Sequence, residues 1–314
     1  MRIIAASGSD EVARVFLADL GSGRLVECVE SVQPPLPRDE KWVLLVSTLL
    51  GCPVGCPMCD AGGDYRGELT ADEILCQIDF LVRRRYPNGR VPAKKFKVQF
   101  ARLGEPALNP AVLDVLRGLP GRYEAPGLLP SISTVAPCGT EDFFEKIVGI
   151  KNELYTDGRF QLQFSIHTTD GALRDRLIPV KKWGFSEIGR YVETFHREGD
   201  RRVTLCFALG RDAPVDPAVM LDHFDPKHFL LKFTPLNPTY GARRHGLASY
   251  IEPDEPGKRY EILDRLEEAG YRVLLSIGER EEDRIGSNCG QLLQRHLDAR
   301  EKLRDGYTYP LERT

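Results

Sequence analysis

Apolar residues return along this chain with two alternating periods, and the alternation predicts its architecture. Runs at 43–50, 96–101, 129–134, 160–166, 203–209, 229–233 and 273–277 are short and rich in apolar and β-branched residues, so they read as strands. Between them, apolar positions three and four apart at 70–85, 110–119, 140–151, 186–198, 217–224 and 254–269 read as helices. The first of these has its own start signal, Thr70 as N-cap with Glu73 three residues on. Strands alternating with helices of this length mean parallel βαβ units, and six of them predict an α/β fold, a partial (β/α)6 barrel. Ahead of it, residues 11–30 alternate around Gly21-Ser22-Gly23, which predicts a short N-terminal β-hairpin extension. Pro34-Pro35-Leu36-Pro37 then serves as a linker into the first barrel strand.

At 314 residues and 42% hydrophobic content the chain can bury a barrel-sized core. The expected division is a leader over 1–40, the barrel with a C-terminal cysteine loop over 41–296, and a tail over 297–314. A net charge of -3 gives no global attraction to polyanions. Local basic groups occur at Arg83-Arg84-Arg85, Lys94-Lys95 with Lys97, Arg201-Arg202 and Arg243-Arg244, and each reads first as a solvated face. Arg243-Arg244, following a late strand, is also placed to meet a substrate phosphate. No signal peptide, membrane-length apolar stretch or lipidation motif is legible, so the expected location is the cytoplasm, with no membrane partner.

The chemistry concentrates at strand ends, where barrels of this kind carry it. Directly after the first barrel strand, Cys52, Cys56 and Cys59 fall at C-x-x-x-C-x-x-C spacing with glycines and prolines between them. Three thiolates on one short loop can hold three corners of a [4Fe-4S] cluster and leave the fourth iron open. A zinc or structural cysteine site is the alternative, but zinc sites usually present four ligands in paired sets and no second pair follows. After the second strand come Gly104-Glu105-Pro106, where a glycine permits close backbone approach and a carboxylate can accept from a ligand ammonium. Ser133, then Ser165-Ile166-His167, end the third and fourth strands, and Asn237 follows the sixth between two prolines. Such groups can hold ribose hydroxyls and adenine edges, or merely cap the next helix. Cys289 lies in a Gly-Ser-Asn-Cys-Gly loop before the last helix and reads as an accessible thiol. Cys76, Cys138 and Cys206 read as core.

Taken together, Cys52-x3-Cys56-x2-Cys59, Gly104-Glu105-Pro106-Ala107-Leu108-Asn109, Ser165-Ile166-His167, Arg174-Asp175-Arg176-Leu177-Ile178-Pro179, Leu236-Asn237-Pro238 and Asn288-Cys289-Gly290-Gln291-Leu292 resemble the RlmN/Cfr family of radical S-adenosylmethionine RNA methyltransferases. The likeness runs in order from about residue 11 to about residue 296. It implies S-adenosylmethionine as cofactor, bound at the open iron and by Gly104, Glu105, Ser133, Ser165, Ile166, His167 and Asn237. It also implies an RNA substrate, rRNA or tRNA, and a reducing partner such as flavodoxin or ferredoxin. In that family the cysteine matching Cys289 is methylated, and a 5'-deoxyadenosyl radical takes a hydrogen from the new methyl group. The carbon radical then adds to a ring carbon of adenine. Glu27, on the hairpin, matches the family's proton acceptor.

Two departures stand out. The family's second essential cysteine, which resolves the covalent adduct through a disulfide, corresponds to Leu45 here, and an isobutyl group cannot attack sulfur. Cys28 is no ready substitute, because neighbours on a strand face opposite ways and Glu27 occupies the other face. The family's N-terminal RNA-recognition domain also has no counterpart before the hairpin. Methyl transfer through Cys289 is therefore weighed against a non-methylating radical enzyme that abstracts hydrogen from a small molecule or peptide. A cluster-bearing RNA-binding module is the non-enzymatic alternative.

Overall fold

Every parallel strand turns one row of side chains toward the helices and the other toward a concave inner face, and the two rows differ in kind. The computed structural model describes residues 1–255 and 257–313. Strands β1 (Arg2–Gly8), β2 (Ala13–Asp19) and β3 (Leu25–Ser31) form an antiparallel meander that runs into β4 (Lys41–Val46). A separate hairpin, β5 (Leu49–Cys52) with β6 (Gly63–Glu68), encloses the cysteine loop. Then follow α1 (Ala71–Arg85), β7 (Lys95–Phe100), α2 (Ala111–Gly118), β8 (Leu128–Thr134), α3 (Glu141–Leu154) and β9 (Gln161–Ser165). Two helices, α4 (Gly171–Leu177) and α5 (Phe185–Phe195), lead to β10 (Val203–Ala208), and α6 (Pro217–His223) leads to β11 (Phe229–Thr234). The chain continues through α7 (Tyr240–Arg244), α8 (Glu261–Glu268), β12 (Arg272–Leu275), α9 (Arg280–Ile285), α10 (Leu293–Asp298) and β13 (Leu311–Arg313).

Seven parallel strands, β4 and β7 to β12, are joined by six helical crossovers, as the sequence pattern predicts for an open (β/α)6 barrel. The full sheet has eleven strands in the order β12-β11-β10-β9-β8-β7-β4-β3-β2-β1-β13. Trp42, Leu44 and Val46 of β4, Phe96, Val98 and Phe100 of β7, and Phe229, Leu231 and Phe233 of β11 are buried in one core with α1, α2, α3 and α5. The Thr70 cap is present as predicted: its hydroxyl accepts from the Glu73 backbone N–H, and Glu73 accepts in turn from Thr70 N–H.

Four expectations change. The apolar run 43–50 is two strands, because Ser47 N–H donates to Gln77 Oε1 and the N–H groups of Thr48 and Leu49 donate to Leu103 O, which turns the chain off the main sheet. The helix expected over 254–269 begins at Glu261. Ahead of it Glu252 N–H donates to Tyr260 Oη and Lys258 pairs with Glu252 and Glu255, contacts that a helix starting at 254 does not make. Residues 2–8 form a strand, β1, whose partner β13 comes from the far end of the chain, Ala5 lying opposite Arg313. Cys138 is exposed in a loop, and Cys206 is half-buried on the concave face rather than in the core. Pro256, inside the helix expected over 254–269, and Thr314, the last residue of the expected tail, lie outside the described residues. Among the described residues no helix is long and apolar enough to cross a membrane.

Candidate active site

The end of β5 delivers Cys52 into the loop that carries Cys56 and Cys59, and all three thiols are free and half-buried. Burial raises all three, Cys52 to about 11, Cys56 to about 12 and Cys59 well above the usual thiol range, with Glu105 adding to the first two and nearby thiols to the last two. Thiolates in so dry a place need a cation to hold their charge, which is the chemistry an iron-sulfur cluster provides. Among the described residues no three His, Cys, Asp or Glu side chains converge on one point as ligands of a single ion do. Thiolates at separate corners of a cube need not converge, so three thiols on this loop are compatible with a cluster.

Cys289, distant in sequence, lies against this loop. Asp60 N–H, one residue past Cys59, donates to Gly290 O at 2.7 Å. Gly290 has φ +82°, and a Cβ there would stand 3.1 Å from Met58 O and 3.6 Å from Cys59 Cα, so the glycine lets the two loops close. Cys289 and Cys59 are near enough for a charge on one to raise the other. The Cys289 side chain is exposed, and its surroundings still desolvate the thiol and push it up, while Lys232 and Arg102 pull it down.

The loop after β7 brings Gly104 and Glu105 to the same end. Gly104 has φ +105° and packs so closely that a Cβ would fall 2.6 Å from Leu49 Cβ and Cγ. Glu105 is buried, and its carboxylate accepts from Thr134 Oγ1 at 2.5 Å, Val135 N–H at 2.9 Å and Ala107 N–H at 3.1 Å. Burial raises it to about 7, against those hydrogen bonds. One lone-pair direction on Oε2 stays open for a further donor. Ser133 Oγ accepts from the Gln99 and Gln163 amides at 3.2 and 2.8 Å. Ser165 points to the concave face, whereas Ile166 is buried among the helices and offers the site its backbone. His167 takes φ 67°, and its Nδ1 accepts from Ala208 N–H at 3.1 Å, which leaves the proton on Nε2. Burial, with help from Arg174, lowers it to about 4, so it is neutral near pH 7. Asn237 Nδ2 donates to Cys289 O at 2.8 Å, joining the end of β11 to the thiol's own backbone.

Glu27 is placed differently from the other predicted residues. It is 1% exposed, and Arg102 Nη2 donates to its Oε2 at 2.7 Å while Gln294 N–H donates to Oε1 at 2.7 Å. Arg102 also donates to the carbonyls of Gly286, Ser287 and Asn288, so the pair grips the Cys289 loop from behind. Cys28, next in sequence, is sealed in the main core. Leu45 is half-buried opposite Val29 on β3 and packs against an apolar cluster that includes Ile285 and Leu293.

Sequence reasoning missed Arg102, Asp60, Thr239 and Tyr307. Asp60 accepts from the N–H groups of Tyr240 and Gly241 and from Tyr307 Oη, and Thr239 Oγ1 donates to Met58 O. These bonds tie the cysteine loop to α7 and the C-terminal segment. The adjacency of Asp60 to Cys59 and of Arg102 to Gly104 was the available signal. Beside them opens a cleft of about 960 Å3 lined by Asn237, Arg243, Arg280, Arg284, Arg304 and Asp283.

No protein-family model matches the chain. It is 27% identical over 310 residues to a protein of Desulfitobacterium hafniense named probable dual-specificity RNA methyltransferase RlmN, covering 96% of this chain and 81% of that one. It is 28% identical over 309 residues to the dual-specificity RNA methyltransferase RlmN of Halorhodospira halophila, covering 95% and 77%. In fold it is similar to the crystal structure of a radical SAM methyltransferase from Sphaerobacter thermophilus, with a TM-score of 0.67 and 22% identity over 92% of this chain and 80% of that one. Along nearly its whole length, then, this chain resembles the RlmN-type radical S-adenosylmethionine methyltransferases, the family to which its motifs already pointed.

Proposed function

We propose that this protein is a radical S-adenosylmethionine methyltransferase acting on RNA, with Cys289 as the methyl-carrying thiol and an sp2 carbon of adenine as the target. The observation that carries the reading is the 2.7 Å bond from Asp60 N–H to Gly290 O, which fastens the Cys289 loop beside the three cysteines. Cys52, Cys56 and Cys59 would hold a [4Fe-4S] cluster. When bound, that cluster supplies the electron that cleaves S-adenosylmethionine to a carbon radical.

The chain's own groups supply the seat. Glu105, with its one open lone pair and its position at a strand end, suits the cofactor's ammonium, and Gly104 lets the backbone come close. Neutral His167 offers an Nε2 donor to ribose or adenine, with Ser133, Ser165 and the Ile166 backbone alongside. Asn237 would link the adenine end of the cofactor to Cys289. Glu27 is read here as a positioning residue that fixes the loop through Arg102. The relatives are named for RNA, and the cleft next to the Cys289 loop sets four arginines against Asp254, Asp283 and Asp305, a small excess of positive charge toward a phosphate-bearing substrate. A flavodoxin or ferredoxin would be the electron donor, and the cytoplasm would keep the cluster reduced.

One observation favours a second reading, hydrogen abstraction without methyl transfer. Leu45, which corresponds to the family's resolving cysteine, is half-buried against an apolar cluster and offers no thiol. Anaerobic reduction of cluster-loaded enzyme with methyl-labelled S-adenosylmethionine decides between them. Label on the Cys289 peptide, with deoxyadenosine and S-adenosylhomocysteine formed in step, is expected. Deoxyadenosine alone, with Cys289 unmodified, would overturn methyl transfer.

A further inference from the structure

The concave face of the barrel carries charge that the chemistry above does not use. Because Phe96, Val98 and Phe100 of β7 face the helices, Lys95, Lys97 and Gln99 face inward. The same alternation sends Lys41 of β4 inward opposite Lys95, and Lys232 of β11 inward opposite Cys206. Lys97 is only 9% exposed, and neither it nor Lys232 has a hydrogen-bond or ion-pair partner among the described residues. Lys41, Lys95 and Lys97 all feel the charge of Lys232, and burial and mutual repulsion lower all three. Among the described residues, the carboxylate that figures in the main charges acting on them is Glu282, which faces Lys41.

This arrangement runs against two rules at once. Lysine is almost never buried without a partner, and closed barrels of parallel strands fill their interior with branched apolar side chains. Here Val43, Leu45 and Leu230 share the interior row with Ser131, Ser133, Gln161, Gln163, Thr204 and Cys206. It is open as well: Lys95, Gln99, Gln161, Cys206 and Lys232 are half-exposed, where the helix-facing residues beside them are sealed.

Depth narrows the ligand. Lys232 lies two residues below the end of β11, or ~7 Å, and Lys97 three below the end of β7, or ~10 Å. Lys41 and Lys95 lie deeper still, at the first residues of their strands, and Lys41 already donates to Gln33 Oε1. Asn237, three residues past the end of β11, donates to Cys289 O at 2.8 Å, so Lys232 lies on the strand whose end meets the Cys289 loop. The lysines thus stand at several depths on β4, β7 and β11 and face one interior. Several ammonium groups facing one interior suit a ligand with more than one negative charge, as linked phosphates are.

We propose that Lys97 and Lys232, backed by Lys95 and Lys41, form a binding site for a phosphate-bearing group that enters the barrel beneath Cys289. Only its placement under a reactive thiol rests on the function proposed above; the lysine site itself stands separately. The ligand chemistry is a pyrophosphate or phosphate ester, supplied either by the end of an oligonucleotide or by a free nucleotide.

Titration calorimetry on the cluster-loaded enzyme at fixed ionic strength tests it, with inorganic pyrophosphate as first probe against the parent, Lys97→Met and Lys232→Met. Each substitution is expected to raise the Kd for pyrophosphate by about tenfold or more, the loss of one charged contact, while the Kd for S-adenosylmethionine moves less than about twofold. Adenosine diphosphate and a 5'-phosphorylated oligoadenylate, each compared with its unphosphorylated form, identify the source; a gain from phosphate in either supports the site. Equal pyrophosphate affinity in the parent and both variants overturns it. So does weakening of S-adenosylmethionine rather than pyrophosphate, because the lysines would then serve the cofactor. Loss of phosphate binding with intact S-adenosylmethionine cleavage in the parent would sink this site alone, and the converse would sink only the proposed function.

Discussion

Glu27 and Arg102 form a salt bridge of 2.7 Å in which the two side chains are 1% and 2% exposed, and the same guanidinium holds three successive carbonyls of the Cys289 loop. Removing one partner of such a pair leaves the other charged and dry, at a cost of about 3–5 kcal/mol. Glu27→Ala and Arg102→Met are each expected to lose about that much in chemical denaturation, and the double variant less than their sum. Alkylation of Cys289 should quicken in both, because the loop loses its anchor. Glu27→Gln separates positioning from proton transfer: a variant that folds and protects Cys289 like the parent, yet cannot turn over, would make Glu27 a proton acceptor after all.

The three-cysteine loop makes a second prediction. Cys52→Ala, Cys56→Ala and Cys59→Ala should each lower bound iron and sulfide to a small fraction of the parent. Cys289→Ala and Cys206→Ala should keep both, since neither thiol belongs to the spaced set. Metal analysis with paramagnetic resonance of anaerobically reconstituted protein reads this out. Equal iron loss in Cys289→Ala would make Cys289 a fourth ligand and close the iron that the cofactor needs. Burial holds Cys52 near 11 and Cys56 near 12, so loading at neutral pH should also release protons, measurable in weakly buffered solution.

What could be read from the sequence was whatever depended on local spacing. The seven parallel strands, the Thr70–Glu73 capping box and the strand-end placement of Gly104, Glu105 and His167 follow from periodicity and turn chemistry, and the structure bears them out. What escaped depended on partners far along the chain. Strand β1 exists through β2 and β13, Arg102 acts on carbonyls 184 to 186 residues away, and Tyr307 reaches Asp60 across 247 residues. Nothing near Lys97 in sequence announces that its side chain turns into the barrel beside Lys232. Only the strand alternation, combined with which row packs on helices, gives that.

Gly104 offers a steric test. At φ +105°, with Leu49 atoms 2.6 Å from where a Cβ would sit, an alanine meets both backbone strain and a clash. Gly104→Ala is expected to cost about 3 kcal/mol, from strain of 1–3 kcal/mol together with displacement of β5. Since β5 carries Cys52, cluster retention should fall along with the melting temperature. A Gly104→Ala protein with the parent's Tm and full iron content would mean that the turn yields without cost.

Glu105 predicts a pH dependence whose sign is set by burial. Its carboxyl rises from an ordinary 4.5 to about 7, so folding disfavours the ionised form. Below 4.5 the group is protonated in both states and costs nothing. Between 4.5 and 7 the unfolded chain ionises first and the folded state loses stability as pH rises. Above 7 the loss is complete, at about 3 kcal/mol. Cluster-free protein should therefore lose stability across that window, and Glu105→Gln should flatten the slope even though its amide, facing Val135 N–H, lowers stability at every pH. Parallel curves for parent and variant from pH 4.5 to 7 would show that the three donors around Glu105 already keep it ionised. If the slope is present, an ammonium ligand bound at the open lone pair should favour the charged form, so affinity for S-adenosylmethionine should rise with pH through about 7 in the parent and stay level in Glu105→Gln.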